Sequence, residues 1–216
     1  MVYGNVAVEP GQATMRKQRK SVSRRGVKRA AVARLKANDD KFRELLIFIA
    51  ARSGKDPHFG AIKQNKLLFY CDFLAYLKLG RSITGQEYFA LRQGPAPRYG
   101  ERIRKEMVRD REIAIQNTGG QTRTVALREP KYKIFSSEEV ALVTEVLQVY
   151  RASSGSELSE KSHKFTGWYL AKEKEPIPYA VALVGNRLPT HSEIQRGPVL
   201  EAIAEACLID NATQTA

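Results

Sequence analysis

The chain has 216 residues, which suits one domain with an appendage, and its apolar fraction of 43% is enough for a sizeable core. No apolar run approaches the roughly 18 residues that span a bilayer, and the two cysteines, Cys71 and Cys207, are too few for a disulfide framework or a metal knuckle. The net charge of +13 is uneven: residues 1–40 hold ten Lys/Arg against three acids (+7), and residues 41–216 hold twenty-six against twenty (+6).

The first thirteen residues lack periodicity, and no apolar stretch follows the N-terminal charges, which argues against a secretory signal and for a reducing cytoplasm. Residues 1–38 are expected to form a disordered basic arm. Arg16, Lys17, Arg19, Lys20, Arg24, Arg25, Lys28 and Arg29, followed by Arg34 and Lys36, have no acid among them. Like charges at this density repel one another, and they suit a nucleic-acid backbone or an acidic protein surface. No aromatic is interleaved, so base stacking is not supported.

Asn38 or Asp39 caps a helix whose apolar face is Phe42, Leu45, Leu46, Phe48 and Ile49, ending near Ser53-Gly54. From Ala61 to Leu79 apolar residues cover most of a second helix, which predicts a buried central helix. Lys66 and Asp72 are exceptions on it. Asp72 has no partner at helical spacing, so an arginine or a helix terminus from elsewhere is expected to meet it. Gly80 fits a left-handed stop, and Gly85 a positive-φ position in the following turn. Tyr88 to Leu91 reads as a short strand. Gly94-Pro95-Ala96-Pro97 reads as a corner that redirects the chain. A helix from Arg98 to Arg109 with Tyr99, Ile103 and Met107 inward follows, then a β-hairpin over 113–127 around Gly119-Gly120. Tyr132, Ile134 and Phe135 form an extended link. Ser136 and Glu139 have capping-box spacing for a helix that runs to about Tyr150 and stops at Ser153-Ser154-Gly155. Ser156 with Ser159 opens a short helix to about His163, and a last helix is expected from Thr190 to Leu208. The fold class is therefore α+β and predominantly α-helical: a domain over 39–209 around one buried helix, with a small antiparallel sheet or hairpin and a frayed tail over 210–216.

The ordered set Lys66-Leu67-Leu68-Phe69-Tyr70, Asp72, Gly80, Ile83-Thr84-Gly85, Tyr88, Gly94-Pro95, the hairpin, Ser162-His163, Trp168 and Pro176-Ile177 resembles the Panacea antitoxin domain, also called SocA-like, over roughly Phe42 to Val184. The resemblance implies a mostly helical, non-enzymatic bacterial or phage protein without a cofactor. Its function would be to bind and neutralise a toxin encoded beside it. One branch of the family acts as an adaptor that delivers its toxin to a cytoplasmic protease, and a mobile-element protein touching nucleic acid through the arm is a further alternative. Partner surfaces vary within the family, so no toxin contact carries over. What carries over is the motif, as structural or partner-binding residues: Lys66, Leu67, Tyr70, Asp72, Gly80, Thr84, Gly85, Tyr88, Gly94, Pro95, His163 and Trp168. An enzyme would have to use Cys71 with His58, His163 or His191, or Asp72 with Glu87. A thiolate needs an exposed electropositive setting, and the pattern around Cys71 offers none.

Overall fold

The structure, a computed structural model, describes residues 36–184. The basic residues from Arg16 to Arg29 and the helix expected over Thr190 to Leu208, with His191 and Cys207, lie outside the described residues. Six α-helices and five short strands are present among the described residues, and none of those helices is long and apolar enough to cross a membrane.

Helix α1 (Asp39–Arg52) starts at Asn38, whose side chain accepts from the Lys41 N–H at 2.9 Å, with Asp39 and Asp40 favourably placed in the positive first turn. Helix α2 (Ala61–Leu79) occupies the predicted span and ends on Gly80 at φ 70. It lies between two apolar clusters, which accounts for its nearly all-round hydrophobicity. Leu67, Leu68, Cys71 and Ala75 join the larger cluster, with Phe42, Leu45, Leu46 and Ile49 of α1 and Ile103 and Met107 of α3 (Gly100–Arg109). Phe69, Phe73 and Tyr76 join the smaller one, where Phe73 stacks on Tyr179 at 4.5 Å and Phe69 meets Phe165 edge-on at 5.2 Å.

The smaller cluster is roofed by a three-stranded antiparallel sheet in the order β2-β1-β5, formed by β1 (Tyr88–Leu91), β2 (Gly94–Pro97) and β5 (Pro176–Ile177). Gly94 to Pro97 is thus an edge strand rather than a corner, and Leu91 pairs with Gly94 across the turn Arg92-Gln93. Two prolines fit because they alternate. Pro95 and Pro97 oppose Ala90 and Tyr88, and those two β1 residues sit at positions whose backbone groups face the other way: Ala90 N–H bonds to the Glu175 carbonyl. The carbonyl of Pro95 is therefore left free for a side chain.

A separate hairpin, β3 (Ile113–Thr118) with β4 (Gln121–Ala126), turns on Gly119-Gly120 as read from the sequence. Helix α4 (Ser137–Val149) has the expected capping box of Ser136 and Glu139 but ends at Val149, before the serines. Helix α5 (Gly155–His163) is capped by Ser154 with Glu157, not by Ser156 with Ser159, because the Glu at the third helical position returns a bond to the cap N–H. Tyr132–Ile134 is a 3-10 turn instead of an extended link, and Tyr99 is 41% exposed, placed outside the amphipathic face by its position before the helix start. Helix α6 (Thr166–Leu170) carries Trp168.

Candidate functional site

The motif residues converge on two places along α2. The first is Asp72, which is fully buried. Its carboxylate accepts from the Thr84 N–H at 2.7 Å, the Thr84 hydroxyl at 2.5 Å and the Tyr88 hydroxyl at 2.8 Å. The partner is therefore a loop and a strand, neither an arginine nor a helix terminus. The loop can reach in because Gly80 and Gly85 (φ 66) turn the backbone where a side chain would be strained, and a Cβ on Gly85 would also sit 2.6 Å from the Lys36 carbonyl. Burial lifts the Asp72 carboxyl to about 6 against the pull of these hydrogen bonds, and burial beside that carboxylate raises the Tyr88 phenol well above its ordinary value. The Tyr179 hydroxyl closes the group by donating to the Gln86 carbonyl at 2.7 Å. Nothing here is open to a substrate. The cluster ties α2 to the start of β1.

The second place is the β1–β2 turn. Four of its carbonyls each accept from a side chain below. Trp168 Nε1 donates to Leu91 O at 3.0 Å, the His163 ring bonds to the Arg92 carbonyl, Ser159 Oγ donates to Gln93 O at 2.7 Å, and Lys66 Nζ donates to Pro95 O at 2.8 Å. Gly94, at φ 90, lies so close to Ser162 Oγ that a Cβ would collide with it, and that Cβ would come within 2.9 Å of Lys66 Nζ. Trp168 and His163 stack with ring centroids 3.9 Å apart. Lys66 is 2% exposed with a carbonyl as its acceptor, and burial lowers its pKa to about 7. His163 is lowered too, by burial and then by Lys66, and its Nε2 is buried with no partner among the described residues. Its bond runs to the backbone of the turn.

Leu67 is a core residue, and Tyr70 packs against both clusters, stacked on Tyr150 at 4.7 Å. Among the described residues, the candidate catalytic groups named from the sequence do not come together. Cys71 is fully buried and its thiol is pushed well up by burial and by Asp72. His58 is exposed in a loop, and Glu87 pairs with Arg98 at 2.7 Å. Among the described residues no three His, Cys, Asp or Glu lie close enough to hold a metal ion.

Lys63 and Gln64, both buried on α2, lie outside the residues singled out from the sequence, whereas Ser162 belongs to the ordered set quoted there. Lys63 bonds to Asp56 at 2.7 Å and to the Ser153 carbonyl at 2.6 Å, Gln64 accepts from Thr124 at 2.8 Å, and Ser162 packs under Gly94. The signal for the first two was available. A helix buried all round must satisfy every polar side chain it carries, so Lys63, Gln64 and Lys66 within one turn each require a partner.

Residues 65–169 match the family described as antitoxin SocA-like, Panacea domain. This range runs from α2 to α6 and is narrower than the resemblance read from the sequence, leaving α1 and β5 outside. Comparison with curated proteins and with solved structures gives no match.

Proposed function

We propose that this chain, which carries an antitoxin SocA-like, Panacea domain over residues 65–169, neutralises a cognate protein toxin by binding it directly in the cytoplasm. The family match is the observation that carries this reading. The geometry is in keeping with it: the motif side chains point inward and hold backbone, and Cys71, the one described thiol, is sealed in the core. A binding role is in keeping with such an arrangement. The test is to express the abutting gene with and without this protein and follow growth. Toxicity relieved by co-expression is the expected result, and toxicity left unchanged would count against it.

The basic arm supports a second, additive activity. Ten cations and no acid between Met15 and Ala37 suit sequence-independent contact with nucleic acid. Binding to duplex DNA that falls steeply with salt and disappears on removal of residues 1–37 is the expected outcome. Weak, salt-insensitive binding would argue against this role. Delivery of the toxin to a protease is the alternative to blocking, and the two differ in whether the toxin survives.

A further inference from the structure

We propose that the β1–β2 turn and helix α6 together form the toxin-contacting face, and that the toxin segment it receives is apolar and acidic. This rests on the antitoxin reading above. Four observations lead to it.

The turn is held more firmly than a surface turn requires. The carbonyls of Leu91, Arg92, Gln93 and Pro95 are each bonded to a side chain from α2, α5 or α6. Desolvating the Lys66 ammonium offsets much of what its bond to a neutral carbonyl contributes, so the net stability returned is small. What the arrangement gains is a fixed backbone at the surface. A face fixed before binding loses less conformational entropy when a partner docks.

Apolar side chains stand open on the turn and on the helix bonded to it. Leu91 is 37% exposed, Tyr169 55% and Leu170 44%, and Trp168 joins them through its bond to Leu91 O. Exposed apolar side chains gathered on a strand end and the helix bonded to it are the kind of patch that marks a protein contact.

Its rim is basic. Arg92, Lys164, Lys172 and Lys174 are exposed, and none makes an ion pair among the described residues; Glu160 and Glu173 are the exposed acids in the same stretches. Lys174 reaches the patch through its backbone, donating to Ala90 O at 2.7 Å.

The charged surface along α3, by contrast, neutralises itself. Arg98 pairs with Glu87, Arg102 with Glu106 and Lys105 with Glu101. An acidic segment therefore has more to gain at the turn than at α3.

The experiment uses the full chain and the product of the abutting gene. Growth protection and affinity are measured for wild type, for Arg92→Glu with Lys174→Glu, for Tyr169→Asp, and for the α3 control Lys105→Glu, with thermal melting to check the fold. The turn and α6 variants are expected to melt like wild type and to bind about tenfold more weakly or worse, while the control binds normally. A photo-crosslinking residue in place of Tyr169 is expected to capture the toxin. If wild type protects and the turn variants protect equally, this face is wrong and the antitoxin reading stands. Crosslinks from position 169 only to residues 185–216 or to a second copy of the chain would also overturn the assignment. If wild type does not protect, the antitoxin reading falls and the face falls with it.

Discussion

Lys66 Nζ donates to the Pro95 carbonyl at 2.8 Å from a position 2% exposed, with no carboxylate bonded to it. An ordinary lysine pKa of 10.5 falls to about 7 there because burial penalises the charged form. Between these values the unfolded chain binds a proton that the folded chain does not, so this residue makes stability rise as pH goes from about 7 toward 10.5, and the gain is absent below 7. Lys66→Met is expected to remove that part of the slope in urea titrations run against wild type. It should also cost about 1–3 kcal/mol through the unsatisfied carbonyl. An unchanged slope would mean that Lys66 stays charged in the folded protein.

Gly94 and Gly80 both sit at positive φ but in different surroundings. A methyl on Gly94 meets Ser162 Oγ and Lys66, whereas one on Gly80 meets nothing within 4 Å. Gly80→Ala is expected to cost about 1–2 kcal/mol, the strain of the left-handed backbone alone. Gly94→Ala should cost clearly more, about 3 kcal/mol or above, because two buried polar groups must also move. Equal losses in denaturant melts would show that the packing under the turn is loose.

Asp72 titrates the other way. Its carboxyl rises from 3.8 to about 6 on folding, so the folded chain holds the extra proton between these values. The contribution of Asp72 to stability therefore falls as pH rises from about 4 to 6 and is level above 6, with a span of at most about 3 kcal/mol. Asp72→Asn, whose amide can still face the Thr84 and Tyr88 hydroxyls, is expected to flatten that window. Asp72→Leu strands the Thr84 N–H and both hydroxyls and should be far more damaging.

Trp168 is the single tryptophan and stacks on His163. A charged imidazole quenches a stacked indole more than a neutral one does. The emission of Trp168 should therefore drop on acidification, with a midpoint below the ordinary histidine value because burial and Lys66 both oppose protonation. His163→Gln should abolish the step. A midpoint at or above the ordinary value would place His163 in water.

Local signals carried much of this architecture. Gly80, Gly85, the Gly119-Gly120 turn and the Ser136 cap are dictated by backbone sterics and short-range hydrogen bonds, and each stands where its residue type requires. The meaning of the polar motif was not local. Asp72 meets Thr84 twelve residues on, Lys66 meets Pro95 twenty-nine on, and Trp168 meets Leu91 seventy-seven back. No periodicity encodes such pairings. Gly94 to Pro97 read as a corner because two prolines argue against a strand. Only the pairing with β1 reveals that alternate positions need no N–H. Strand β5, two residues long, has no period to detect.

The claim that matters most is direct neutralisation, and it is tested by measuring intact toxin in cells that this protein has rescued. The product of the abutting gene is quantified by immunoblot and by its co-elution with this chain. Restored growth with full-length toxin retained in a complex is the expected result. Growth restored while the toxin disappears, or toxin that stays free and active, would contradict it.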